Sequence, residues 1–318
     1  MRTPYTRELA VGVTIVALGL ALAFKAHGYF SGENLSELFL ANMPVMIISV
    51  GMLLIILTGQ IDISIGSVFA ICCILTGLSA KWGFGGPGSA LVACLVGAAC
   101  GALNGVLVAY LRVPSIVVTL ATMVALRDAL RWKTQGSWIG DLPDHFQWLG
   151  LTQGHYTVAL FFVVASIVMV TAAGLRYLHA GRAVFATGSS ETAARIVGIN
   201  TSRVIFTVFT LTGALTGLAA MLNSVRFHQI PSNSGLGLEM KVIAAVAVGG
   251  AAITGGSGSV LGTVLGVVLL GSIGSALTFL GISAYWEKAI QGAIILAAVA
   301  IGALGSYRER HARHALPS

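Results

Sequence analysis

The chain has 318 residues, of which 56% are hydrophobic and only 9% charged, with a formal charge of +7. Soluble domains carry about 25% charged residues, so this composition cannot cover a water-exposed surface, and no polar block is long enough to fold alone. Lipid is the matching solvent, and the basic excess, confined to short loops and tails beside apolar runs, follows the positive-inside rule rather than a nucleic-acid surface.

Ten segments reach the length of a membrane span, roughly 17–20 apolar residues: 8–27, 36–57, 64–81, 89–111, 115–132, 156–178, 204–224, 239–254, 258–279 and 285–305. The first is long for a secretory h-region and no clear A-x-A site follows, so it is read as a retained helix. The third, fifth and eighth are the weakest, being short or interrupted by polar residues. Cys72, Cys73, Cys94 and Cys100 all lie inside apolar spans without metal-ligand spacing, and are expected to be packing residues. With ten crossings both termini share one side. That side collects Arg2, Arg7, Arg112, Arg176, Arg182, Arg195, Arg203, Arg308, Arg310 and Arg313, while Lys25, Lys81, Lys133, Arg226, Lys241 and Lys288 fall on the other. The expectation is an all-α polytopic membrane protein with cytoplasmic N and C termini. Residues 1–318 form one transmembrane domain, with an outer loop at 133–155 and a cytoplasmic loop at 179–203.

In chain order, the first polar feature is Thr58-Gly59-Gln60-Ile61-Asp62-Ile63-Ser64-Ile65-Gly66-Ser67. An ionisable Asp62 at the bilayer edge has a partner or a task, and Ser64 and Ser67 suit a helix start. Helix capping and substrate contact are both open for Asp62. Next, Gly97, Gly101 and Gly105 fall four apart, as do Gly213 and Gly217, and Gly258, Gly262 and Gly266. That spacing puts each set on one helix face, where a neighbouring helix packs closely. At the end of the fifth span, Arg127, Asp128 and Arg131 allow an intrahelical ion pair, and charges there should face the bundle interior or an outer vestibule. Trp132, Trp138 and Trp148 follow, as sugar-facing indoles or interfacial anchors.

The cytoplasmic loop runs Gly181-Arg182-Ala183-Val184-Phe185-Ala186-Thr187-Gly188, then Ser189-Ser190-Glu191-Thr192-Ala193-Ala194-Arg195-Ile196-Val197-Gly198-Ile199. Ser190 can cap a short helix, Glu191 suits its positive end, and Gly198 can end it in a left-handed conformation. A short amphipathic helix between two spans is either a docking element for a soluble partner or a solvated loop helix. Were it a docking element, Ala193 and Ala194 would form the close-contact face.

This loop resembles the coupling segment of the ribose-type sugar permeases of bacterial ATP-binding-cassette importers. The matching positions are Gly181, Arg182, Phe185, Ala186, Gly188, Ala193, Ala194, Gly198 and Ile199, with Ser190 where the family often has Asn. Leu57–Ser67 is similar to the family's T-G-G-I-D-L-S-V-G-S element, and Gly237–Gly258 to its Y-E-L-D-A-I-A-A segment, with Glu239 kept and Met240-Lys241 replacing the usual apolar-Asp pair. The resemblance runs over about residues 40–305. It implies cytoplasmic ATP-binding subunits docked on Gly181, Arg182, Phe185, Ala186, Gly188, Glu191, Ala193, Ala194, Gly198 and Ile199, a periplasmic sugar-binding protein, and a second permease copy or paralogue. It places the chain in a bacterial inner membrane, with membrane lipid and no nucleic acid as its other partners. Lys241 and the 134–143 region look most like the rhamnose and autoinducer-2 branches, so the expected cargo is a monosaccharide, with rhamnose or a similar deoxy-sugar first and autoinducer 2 as the alternative.

Asp62, Asn104, Asp128, Trp132 and Asn223 are the candidate lining of a substrate path. No G-x-x-x-x-G-K-[ST] is present, so ATP is expected to be used by partner subunits, with no cofactor or metal held by this chain and no enzymatic activity of its own. An ion-coupled secondary transporter would need intramembrane carboxylates or broken helices near the midplane, and none is evident at a span centre.

Overall fold

Backbone polar groups in lipid must be satisfied within the chain, and helices do this here. The computed structural model describes residues 6–283, 285–294 and 296. The helices are α1 (Thr6–Lys25), α2 (Gly32–Leu57), α3 (Ile65–Lys81), α4 (Gly86–Ala109), α5 (Ser115–Thr134), α6 (Gln153–Tyr177), α7 (His179–Ser189), α8 (Glu191–Ile196), α9 (Thr201–Ser224), α10 (Leu238–Val248) and α11 (Val260–Phe279). Residues 286–294 are also helical. Among the described residues no strand forms, and an isolated antiparallel bridge joins Ile139 to Ile230.

Among the described residues, six helices are long and apolar enough to cross a membrane: α1, α2, α4, α6, α9 and α11. The others show why three expected spans were weak. α3 is apolar but has 17 residues. α5 carries Arg127, Asp128, Arg131 and Lys133 near its end. The segment expected to span at 239–254 is an 11-residue helix, α10. Such a helix is about 16 Å long, half of a hydrocarbon core of about 30 Å. It stops where Gly249 and Gly250 turn the chain, Gly250 with φ +94°. Most of the expected span at 285–305, and the basic tail after it, lie outside the described residues.

α2 forms the centre. From Leu40 to Leu57 it is buried almost throughout and packs against α9, α11, α10, α6 and α7. Pro44 sits inside it. Proline lacks an N–H and cannot bond the carbonyl four residues back; that carbonyl, Leu40 O, accepts instead from Arg226 Nη1 at 2.6 Å.

α4 and α9 make the most extensive helix pair. The glycine spacing explains it. A methyl group at Gly97 would collide with the Gly213 carbonyl oxygen, one at Gly101 with that of Phe209, and one at Gly217 with that of Ala93. Main chain lies directly on main chain, the arrangement small residues allow between membrane helices. The second stripe holds in part. Gly262 and Gly266 of α11 press on Gly249, just past α10, and on Ala245 of α10, whereas Gly258 precedes the helix and rests against Ala251 and Leu53.

Candidate functional site

Leu178 is extended (φ −83°, ψ 150°) and separates α6 from α7. The Gly181–Gly188 stretch, read from sequence as a loop entry, is therefore most of an 11-residue helix. Its two glycines are packing positions. A side chain at Gly181 would press on Leu175 and Gly174 main chain at 2.5 Å. One at Gly188 would overlap the Leu57 carbonyl oxygen and meet Gly256 N at 2.7 Å. Phe185 and Ala186 are half-buried, and Arg182 is exposed, donating from Nη2 to His179 Nδ1.

α8 forms as its sequence dictates. Ser190 Oγ accepts from Ala193 N at 3.3 Å. Glu191 pairs with Arg195 one turn later. Arg195 Nε donates to Thr201 Oγ1 at 2.9 Å, and Thr201 Oγ1 donates to Glu191 at 3.1 Å, tying α8 to the first residue of α9. Gly198 leaves the helix at φ +85°. The expected contact face needs correction. Ala194 points inward at 2% exposure, while Ala193 is exposed beside Ile196 and Val197, themselves 81% and 73% exposed. A short helix with one small residue buried and three apolar residues outward presents Ala193, Ile196 and Val197.

The second site lies where the two short helices begin. The chain after α2 places Ile61 against α5, with Ser115 Oγ 3.2 Å from Ile61 N. Asp62 is 4% exposed; its Oδ1 accepts from Ser64 N at 2.8 Å and from Ser64 Oγ at 2.6 Å. Asn104 of α4 donates to Ser64 Oγ at 2.9 Å and accepts from Thr122 Oγ1 of α5 at 2.7 Å. Asp62 thus closes a local turn onto Ser64, the residue before α3, and makes no cap of the helix itself; Ser64 makes no side-chain cap either, and Ser67 Oγ donates to Met123 O. The start of α10 meets the same end of α3. Gly66 has no room for a side chain because Glu239 and the Gly235 carbonyl occupy it, while Gly77, near the other end of α3, touches Ile230 and Ile139. Gly66 and Gly77 stand about 16 Å apart along the helix. The 230–235 segment therefore descends alongside α3, and α10 starts deep in the bundle. Two helix N-termini, each positive in partial charge, meet there beside the carboxylates of Asp62 and Glu239. Arg127 Nη2 reaches Glu239 Oε1 at 3.6 Å, and that nitrogen and Glu239 Oε2 have no hydrogen-bond partner among the described residues.

Of the candidate path residues, the structure joins Asp62 and Asn104. Asp128 is exposed on α5 and pairs with Arg131 at 3.9 Å, and Trp132 is 77% exposed. The expected Arg127–Asp128–Arg131 set is divided, since Arg127 turns to α10. Asn223 belongs to a separate cluster near the end of α9 with Arg226 and Glu37, the last two 3.5 Å apart. Outside the helices, burial lowers the pKa of Arg226, with Glu37 and Tyr156 opposing. Lys241, singled out by its departure from the family pattern, pairs with Glu287 at 2.8 Å. The broken element at α10 also corrects the expectation that the chain has none. Sequence reading missed the Arg127–Glu239 pairing; Gly235-Leu236-Gly237, bent at φ +78° and +81° just before Glu239, was its available signal.

Residues 34–299 match the family model described as the branched-chain amino acid transport system permease component. Among curated relatives, the autoinducer 2 import system permease protein LsrC of Photorhabdus luminescens is 33% identical over 298 residues, covering 92% of this chain and 88% of the relative. The protein of the same name in Escherichia coli O9:H4 (strain HS) is 33% identical over 308 residues, covering 96% and 90%. That of Salmonella typhi is 34% identical over 297 residues, covering 91% and 84%. No solved structure matches the chain.

Proposed function

The chain belongs to the branched-chain amino acid transport system permease family, in its ribose-type group near the autoinducer 2 import permeases, and from that premise we propose that it is the membrane-spanning permease subunit of an importer carrying autoinducer 2 into the cytoplasm. Rhamnose, the cargo favoured on sequence motifs, gives way because relatives aligned over more than 90% of the chain carry the autoinducer 2 name. The observation that carries the importer reading is the α7–α8 element. Gly181 and Gly188 pack it main chain to main chain on the bundle, and its outward face presents Ala193, Ile196 and Val197. ATP-binding subunits would dock there, a periplasmic binding protein would deliver cargo on the other face, and a second permease would complete the path. Closure of the ATP-binding subunits would then bias the bundle between outward- and inward-open states. The polar junction of Asp62, Ser64, Asn104, Arg127 and Glu239 supports a path through the starts of α3 and α10. An ion-coupled transporter would use the same broken helix, but would leave the exposed α8 face without a task.

The test is uptake in cells that lack an autoinducer 2 importer, given this chain with its ATP-binding, binding-protein and second-permease partners. Autoinducer 2 should disappear from the medium, and should persist when the ATP-binding subunit cannot hydrolyse ATP. Rhamnose uptake without autoinducer 2 uptake would reverse the assignment of cargo, and uptake indifferent to ATP hydrolysis would reverse the importer reading.

The same proposal sets the topology: ten passes, both termini and 179–203 in the cytoplasm of a bacterial inner-membrane protein, and 133–155 outside. With the four cysteines replaced, single cysteines at His145 and Ser190, both exposed, report it. An impermeant thiol reagent added to intact cells should label position 145 and spare position 190; the opposite pattern inverts the chain.

A further inference from the structure

The end of α6, α7 and the start of α9 enclose an open cavity of about 750 Å³. Its wall is apolar, built by Val170, Leu175, Val204, Val208 and Leu211. Val170 is 71% exposed and Leu211 46% exposed, so the cavity opens sideways, away from the bundle, the side on which an apolar helix such as α6 meets lipid. Its rim is basic, with His179, Arg182 and Arg203. Among the described residues, neither Arg182 nor Arg203 has a carboxylate partner. Both lie in the opening turns of helices, α7 and α9. Cations there oppose the helix dipole, so an anion between the two helix starts would relieve both.

We propose that this cavity is a binding site for an anionic phospholipid. The headgroup phosphate would lie between Arg182 and Arg203, whose guanidinium forks match phosphate oxygens, and an acyl chain would run along Val170, Val204, Val208 and Leu211. Basic pockets between membrane helices take anionic headgroups in this way. The apolar wall decides against a free anion, because phosphate alone would leave that surface uncovered. It also decides against an acidic soluble partner, which would reach the rim and not the sideways opening. The proposal rests on the chain's membrane placement and not on what it transports, and its assay contains no ATP-binding subunit, so its failure leaves the importer reading untouched.

The experiment uses the full chain purified in mild detergent and titrated with phosphatidylglycerol, phosphatidylethanolamine or inorganic phosphate. Bound lipid is read by native mass spectrometry and stability by thermal unfolding. Phosphatidylglycerol should bind and raise the unfolding temperature, and the other two should do neither. R182Q/R203Q should weaken phosphatidylglycerol binding about 30-fold, from the usual contribution of each basic residue near an anionic lipid. Val170→Trp, which fills the wall and keeps both arginines, should abolish binding, and Arg131→Gln, remote from the cavity, should leave it unchanged. Equal binding of both lipids, or wild-type affinity in R182Q/R203Q, would overturn the site. So would an equal effect of inorganic phosphate that survives Val170→Trp, which would make it a simple anion site. Should the double variant not fold, Val170→Trp alone decides.

Discussion

Leucine at Gly97 is expected to remove nearly all correctly folded protein from the membrane. Ordinary overpacking of a core costs about 1–3 kcal/mol because side chains rotate and the backbone shifts a little. Here the first atom met is the Gly213 carbonyl oxygen, with Gly213 C and Gly217 N each 3.0 Å away, and main chain has no rotamer to yield. The helices must separate, which also opens the contacts at Gly101 and Gly105 along the same seam. The loss should therefore exceed that range, against a total stability of about 5–15 kcal/mol for typical domains. The measurement is the monodisperse yield from detergent-solubilised membranes. Gly12→Leu serves as the control, since nothing lies within 4 Å of a side chain there. Equal yields from the two variants would show that α4 and α9 do not pack through their glycines.

Aspartate at Ile196 and Val197 together should abolish both co-purification of the ATP-binding subunit and uptake, while leaving the amount of permease in the membrane unchanged. At 81% and 73% exposure, neither side chain supports this chain's own packing. Burying an aliphatic side chain contributes about 1.5–3 kcal/mol, so each substitution alone should weaken association by roughly 10- to 150-fold. Ala194→Trp is the contrasting variant. Ala194 is 2% exposed, so tryptophan there should disturb the seat of α8 on its own chain and lower yield as well as docking. Wild-type association and uptake in the double aspartate variant would remove α8 as the docking face.

These two elements were legible to different degrees. The packing faces of α4 and α9 could be read because four-residue glycine spacing falls on one side of a helix, but that these two faces meet each other could not. The short helix α8 could be read because Ser190, Glu191 and Gly198 each mark a terminus by local chemistry. Its orientation could not, since Ala193 and Ala194 are alike in sequence and differ only in which one α9 and the bundle cover. The helix within the 239–254 span was read too long for a related reason. Hydropathy counts apolar residues, and Gly249, Gly250, Ala251 and Ala252 continue the apolar run while ending the helix. The pairing of Arg127 with Glu239 is a contact across more than 100 positions; charges next to each other in sequence pointed to Asp128 instead.

The junction of Leu57, Gly188 and Gly256 has a mechanical consequence. Gly256 N donates to Leu57 O at 3.0 Å, and Gly188 is wedged against both with no side chain in between. Side chains act as springs, taking up small displacements by changing rotamer. Where backbone abuts backbone there is no such compliance. A shift imposed on α7 therefore arrives with little slack at two places at once: the end of α2, the centre of the bundle, and the turn that leads from α10 to α11. Added bulk at Gly188 would overlap the Leu57 carbonyl oxygen, so α7 would have to move away and the linkage would be lost.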